Sequence, residues 1–211
     1  MFITFEGPDG SGKTTQLALL AAYLEAQGRP VVRTREPGGT RIGDQIRACL
    51  HDVQNTAMMP TAEILLYSAS RAQLVAEVIR PNLAAGRIVL CDRYADSTLA
   101  YQGYGRGLAL DLLREITRFA TAGLQPDLTL LFDLDVTAGL ARRQMGQAEM
   151  NRMDLQAIHF YERVQAGYHA LAAAEPARWV IISADRPIAV VQAELRALID
   201  GRLAAFQPRP A

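Results

Sequence analysis

The sequence predicts an α/β protein, a five-stranded parallel sheet flanked by helices. Three observations predict it. Short apolar, β-prone runs recur at 2–6, 30–34, 87–91, 128–133 and 178–183. Patterns of helical period fill the gaps, at about 13–27, 61–80, 97–121, 136–145, 150–174 and 187–204. The 211 residues, half of them apolar, suffice for one sizeable core. Strand–helix alternation implies a parallel sheet covered on both faces, with ligands gathered at the carboxyl ends of its strands. One domain is expected over 1–206, with Gln207-Pro208-Arg209-Pro210-Ala211 as a frayed tail.

The first run, Phe2-Ile3-Thr4-Phe5-Glu6, suits a buried strand. Gly7-Pro8-Asp9-Gly10-Ser11-Gly12-Lys13-Thr14 follows at once and fits G-x-x-x-x-G-K-[ST] at every fixed position. A helix then carries Leu17, Leu20 and Leu24 on one face and closes near Gly28. Strand, glycine loop and helix together aim backbone N–H groups and a positive helix end at phosphate. Lys13 is the only lysine among 22 basic residues. A compact ammonium stands where it must reach the β- and γ-phosphates, while arginine serves everywhere else. The residues expected to bind ATP or GTP are Gly7, Pro8, Asp9, Gly10, Ser11, Gly12, Lys13, Thr14 and Thr15. The Thr14 hydroxyl is expected on Mg²⁺.

The second run ends in Thr34-Arg35-Glu36-Pro37-Gly38-Gly39-Thr40, a turn by composition. It is either a plain connection or a loop that points Arg35 at a second anion. On the next helix Tyr67 and Arg71 lie four residues apart and share a face. They could hold a base between ring and guanidinium, or be a core aromatic beside a solvated arginine. Thr98 and Tyr101 carry the same ambiguity. The third run leads into Asp92-Arg93, where the acid suits Mg²⁺ and the guanidinium suits a phosphate. The fourth ends at Asp133 and Asp135, so motifs from four strands are expected on one rim. Arg142 and Arg143, with Arg152 further on, form either a solvated face or a mobile lid supplying an arginine to transferring phosphates.

Formal net charge is zero, which argues against broad nucleic-acid binding. No run approaches the roughly 20 apolar residues of a membrane helix. Met1 leads straight into a strand with no leader pattern. Cys49 and Cys91 form no C-x-x-C, suggesting buried thiols in a reducing cytoplasm. His51, His159 and His169 lack metal spacing. A GTPase would need a second lysine in N-K-x-D.

The motifs in order resemble those of the bacterial-type thymidylate kinases over nearly the whole chain. The matching segments run Phe5 to Gln16, Thr34 to Thr40, Asp92 to Thr98, Ala100-Tyr101-Gln102-Gly103 and Pro126-Asp127-Leu128-Thr129. The resemblance implies a P-loop NTP hydrolase-type fold with nucleoside monophosphate kinase architecture and a lid at about 141–153. It implies Mg²⁺-dependent transfer of the ATP γ-phosphoryl group to dTMP, by a cytoplasmic homodimer. It further implies a catalytic set of Lys13, Asp92, Arg93, Arg142 and Arg143. Asp9 approaches the acceptor 3′-hydroxyl, and Arg35 and Arg93 clamp the acceptor phosphate. Tyr67, usually Phe in the family, stacks on thymine. Arg71 meets O4, Thr98 meets N3, and Tyr101 lies under the deoxyribose with Gln102 beside it. The adenine pocket involves Ala184 to Pro187. Members with a basic P-loop residue carry Arg where this chain has Gly10. Gln144 and Met145 stand where further lid cations are expected. The rival readings are another nucleoside monophosphate or deoxynucleoside kinase, and a P-loop ATPase or nucleotide sensor without kinase activity.

Overall fold

The computed structural model describes residues 1–145 and 151–206. Part of the expected lid, 146–150, and the expected tail, 207–211, lie outside the described residues. Five strands form, each end within one residue of expectation: β1 (Phe2–Glu6), β2 (Val31–Arg35), β3 (Ile88–Asp92), β4 (Leu128–Asp133) and β5 (Trp179–Ser183). All ladders are parallel, in the order β2-β3-β1-β4-β5. The glycine loop therefore leaves the central strand, and the ends of β2 and β3 stand beside it.

Side-chain alternation along β1 sorts the core. Ile3 and Phe5 face α1 (Lys13–Ala26) and α9 (Ile188–Ala205), packing with Leu17, Leu20, Leu24, Leu195 and Ile199. Phe2 points the other way, into a cluster with Leu74, Val75, Ile79 and Tyr94. On that second face Leu131 and Trp179 pack with Tyr168 of α8 (Ile158–Ala174). Thr4 and Glu6 share the second face, so this side of β1 buries polar groups directly behind the loop.

The helices depart from expectation where glycine and proline intervene. The single helix expected at 61–80 is α3 (Pro60–Leu74), a π-helical turn Val75–Ile79, and α4 (Arg80–Ala84). The change of register comes just before Pro81, which has no N–H to give, and Arg80 N–H bonds back to the Val75 carbonyl. The helix expected at 97–121 divides into α5 (Ala95–Thr98), a π-helical run Leu99–Gly105, and α6 (Leu110–Ala120). Gly107, at φ 77°, makes the break. The helix expected from 150 is a 3₁₀ turn, Arg152–Leu155, followed by α8. α7 (Val136–Met145) matches its expectation.

A further helix, α2 (Arg41–His51), was not expected. Thr40 caps it by accepting from Gly43 N–H at 2.9 Å. It buries only Gly43 and Leu50, too few positions to write a helical stripe in the sequence. Cys91 is buried as expected, but Cys49 on α2 is exposed. Among the described residues no helix is long and apolar enough to cross a membrane.

Candidate functional site

A cleft of about 840 Å³ opens where the glycine loop meets the ends of β2 and β3. At one end, the Lys13 ammonium is buried beneath the loop. It donates to the Pro8 carbonyl at 2.6 Å and to Ser11 Oγ at 3.3 Å. Burial, aided by the Arg93 cation, pushes its pKa down to about 8. Gly7, at φ 131°, passes so close to β4 that a Cβ would sit 2.5 Å from the Phe132 carbonyl oxygen. A side chain at Gly10, at φ 78°, would run into the backbone of Gly139 in α7. An arginine at position 10 therefore has no room here, which accounts for the departure from the P-loop-arginine pattern. Asp9, Gly10, Gly12, Lys13, Thr14 and Thr15 line the cleft; Gly7, Pro8 and Ser11 lie beneath them as support.

The Thr14 hydroxyl donates to Asp92 Oδ2 at 2.6 Å, so the two residues proposed for a metal already meet. Arg93 adopts φ 67°, uncommon for a side chain of its bulk. Its backbone N–H donates to the Phe5 carbonyl at 2.9 Å, holding it against β1. Its Nη2 donates to Asp9 Oδ1 at 2.8 Å and to the Tyr101 hydroxyl at 3.1 Å. Its Nη1 donates to Ser97 Oγ at 3.3 Å and to the Tyr168 hydroxyl at 3.2 Å. Burial acts to raise the Asp9 pKa, but the Arg93 and Lys13 cations override it and hold the carboxyl well below the usual range. Arg35 is half-exposed and pairs with Asp44 of α2 at 3.0 Å, its guanidinium at the rim.

The opposite end of the cleft is built on α3. Arg71 is only 1% exposed. Its Nε donates to Glu36 Oε2 at 2.8 Å, and its Nη2 donates to the Tyr94 carbonyl at 3.2 Å and to Thr98 Oγ1 at 3.1 Å. Its Nη1 is buried without a partner. This overturns the solvated-arginine reading of the Tyr67–Arg71 pair. Tyr67 lines the same space, its phenol pushed up to about 12 by burial. Tyr101 and Gln102 also line it, and Gln102 Nε2 donates to Glu63 Oε1 at 2.8 Å.

Arg142 and Arg143 line the cleft from α7 and turn to different partners. Arg142 donates to the Ala184 carbonyl at 3.2 Å and to Asp185 Oδ1 at 2.7 Å, on the loop after β5. Arg143 grips Asp154 with Nε and Nη2, at 3.1 and 2.8 Å. Arg152 does not lie on a solvated face. It is buried, donating to the Leu50 carbonyl at 3.0 Å and to Glu63 at 2.5 Å. Asp133 and Asp135 stand off the cleft, against the expectation for the fourth strand. Asp133 accepts from Gln165 at 3.1 Å, and Asp135 caps α7 through the N–H groups of Thr137 and Ala138.

The cleft thus joins the glycine loop and its buried lysine to a second, arginine-lined lobe. The family model described as Thymidylate kinase matches residues 5–195. The chain belongs to the thymidylate kinase family. A thymidylate kinase of Roseiflexus sp. (strain RS-1) is 52% identical, over 98% of this chain and 96% of that protein. One of Solidesulfovibrio magneticus is 54% identical over 92% of this chain and 96% of its own length. The crystal structure of thymidylate kinase from Ehrlichia chaffeensis superposes with a TM-score of 0.77 at 35% identity, covering 94% and 98% of the two chains. As a member of that family the chain is a phosphotransferase, and its sheet and flanking helices are those of the P-loop nucleoside monophosphate kinases.

Several residues in and behind this cleft carried no assignment in the sequence. Glu36 holds Arg71, Glu63 holds Gln102, and Glu6 accepts from Tyr94 N–H, the Ser97 hydroxyl and the Tyr168 hydroxyl at 2.8, 2.5 and 2.9 Å. Burial, with Asp96 nearby, pushes Glu6 up to about 7. Glu6 had one signal, an acid in an otherwise apolar central strand. Tyr168 had none, because it comes from a helix more than 160 residues away in sequence.

Proposed function

We propose that this chain transfers the γ-phosphoryl group of ATP to dTMP, giving ADP and dTDP, with the two lobes of the cleft holding donor and acceptor. The supporting observation is Arg93: one guanidinium stands between the P-loop acid Asp9 and the arene of Tyr101, 4.9 Å from the ring centroid. It can grip an acceptor phosphate directly opposite Lys13. Two anions must meet in line, so catalysis is positioning and charge neutralisation. Lys13 and the amides of the Gly7–Thr15 loop hold the donor. Arg35 and Arg93 hold the acceptor, with Asp9 at its 3′-hydroxyl. The acceptor oxygen is already ionised, so no strong base is needed. The unpartnered Nη1 of Arg71 meets O4 of thymine, Tyr67 stacks on the ring, Thr98 reads N3, and Tyr101 and Gln102 border the sugar. Arg142 and Arg143 bring charge from α7, and closure of this side excludes water.

Mg²⁺ fits the donor end. The Thr14 hydroxyl and the Asp92 carboxylate are hard oxygen ligands. Among the described residues no three His, Cys, Asp or Glu side chains form a metal cage. Held by Thr14 and Asp92, the ion would neutralise charge on the β- and γ-phosphates.

The assembly we propose is a cytoplasmic homodimer. Leu112 and Phe119, seven residues apart on one face of α6, are 56% and 90% exposed, with Leu65 of α3 also exposed. Light scattering on the purified chain tests this, and a monomer at micromolar concentration refutes it. The function is tested by ADP release with ATP and Mg²⁺ against a panel of nucleoside monophosphates. dTMP-dependent release is expected. Release without any acceptor favours an ATPase, and release with a purine monophosphate favours another kinase.

A further inference from the structure

Glu6 closes β1, one residue before the glycine loop, and the phosphate-transfer scheme above makes no use of it. It is fully buried. Its Oε1 accepts from Tyr94 N–H, and its Oε2 accepts from both the Ser97 and the Tyr168 hydroxyls. Those two hydroxyl oxygens are also the two partners of Arg93 Nη1.

The protons fix the direction of every bond in this group. A guanidinium nitrogen only donates, and each hydroxyl has one proton. With Glu6 ionised and both protons on its carboxylate, both oxygens turn lone pairs toward Arg93. The two oxygens lie 2.9 Å apart. Were Glu6 not there, one hydroxyl would donate to the other. The proton of the accepting hydroxyl would then lack the carboxylate and be free to turn toward the guanidinium, which offers no acceptor and repels it. Arg93 Nη1 would then keep at most the donating hydroxyl, while Nη2 kept its bonds to the Tyr101 hydroxyl and to Asp9, the second of which competes with a bound phosphate.

We propose that Glu6 is a positioning residue for Arg93: its carboxylate orients the Ser97 and Tyr168 hydroxyls so that together they hold the guanidinium open toward the acceptor phosphate. The inference rests on the reading of Arg93 as the acceptor clamp.

The test is titration calorimetry with dTMP and, separately, with ATP. It compares wild type, Glu6→Gln, Tyr168→Phe, Ser97→Ala/Tyr168→Phe, and that double variant with Glu6→Gln added. Hydrogen bonds to charged groups are strong enough that Glu6→Gln should weaken dTMP binding roughly tenfold or more. ATP binding should stay near that of wild type. In the background lacking both hydroxyls, the loss of dTMP binding caused by Glu6→Gln should shrink markedly, because only the Tyr94 N–H bond and the Glu6 charge remain there. Equal losses for ATP and dTMP would show a general collapse of the loop and overturn the proposal. So would an undiminished Glu6→Gln effect without the hydroxyls, or no loss of dTMP binding. If Glu6→Gln does not fold, Tyr168→Phe alone decides by the same split between dTMP and ATP. A wild type that binds no dTMP overturns both this inference and the function it rests on. A wild type that binds it, with variants that bind it equally well, overturns the inference alone.

Discussion

Two cations show how much a single side chain depends on its surroundings. Lys13 was legible from the motif, and the structure adds its pKa of about 8. The free enzyme's kcat/KM for ATP reports that titration. It should fall as pH rises through about 8, where an exposed lysine would stay charged. Bound phosphate favours the ammonium, so kcat at saturating ATP should hold to higher pH. Initial rates at low and saturating ATP from neutral to alkaline pH check this, and parallel declines would refute it. Arg71 was not legible, because i, i+4 spacing fits a solvated arginine as well as a buried one. What decides is Glu36, 35 residues away in sequence, which pairs with it out of contact with water. Arg71→Ala leaves that carboxylate buried and alone, at a cost of about 3–5 kcal/mol. Urea unfolding measures it, and a loss below about 1 kcal/mol, the value of an exposed pair, would refute it.

At the scale of elements, strands were read better than helices. Each buried strand is a contiguous apolar run with sharp ends, whereas α2 hides because it buries only Gly43 and Leu50. The long helix expected at 97–121 hid its interruption, since Leu99–Gly105 keeps a helical look while its hydrogen bonds widen to the π pattern. α7 was read correctly, yet the partners of its two arginines were not legible, because they lie on other elements. Arg142 reaches the loop after β5, and Arg143 reaches Asp154 while its charge helps lower the Asp9 pKa. Separate consequences follow. Arg143→Ala should reduce kcat by roughly two orders of magnitude, the scale for removing one charge-stabilising donor near transferring groups. Arg142→Ala should mainly raise the KM for ATP, because it loosens the loop expected to border adenine. Steady-state kinetics of both variants separate the two roles, and a kcat defect confined to Arg142→Ala would reverse the assignment.

At the scale of the molecule, parallel order β2-β3-β1-β4-β5 puts the loop from the central strand next to Asp92, Arg93 and Arg35. The rim was predictable from alternation alone, but that topology also carries Asp133 and Asp135 off the cleft, which strand order could not reveal. On the function proposed above the cleft serves two ligands, and this has a thermodynamic signature. A ligand that binds only the folded state adds RT ln(1 + [L]/Kd), about 2.7 kcal/mol at a hundredfold excess over Kd. For a chain of this length that raises Tm by roughly 5–11 °C. Two ligands in separate lobes multiply their binding factors, so dTMP with a non-transferable ATP analogue should stabilise by about 5.4 kcal/mol. Two ligands competing for one lobe only sum their factors, which yields about 3.1 kcal/mol together. Thermal unfolding with each ligand alone and with both therefore distinguishes the arrangements. A combined shift scarcely larger than the greater single one would mean that donor and acceptor exclude each other, and the two-lobed reading of the cleft would fail.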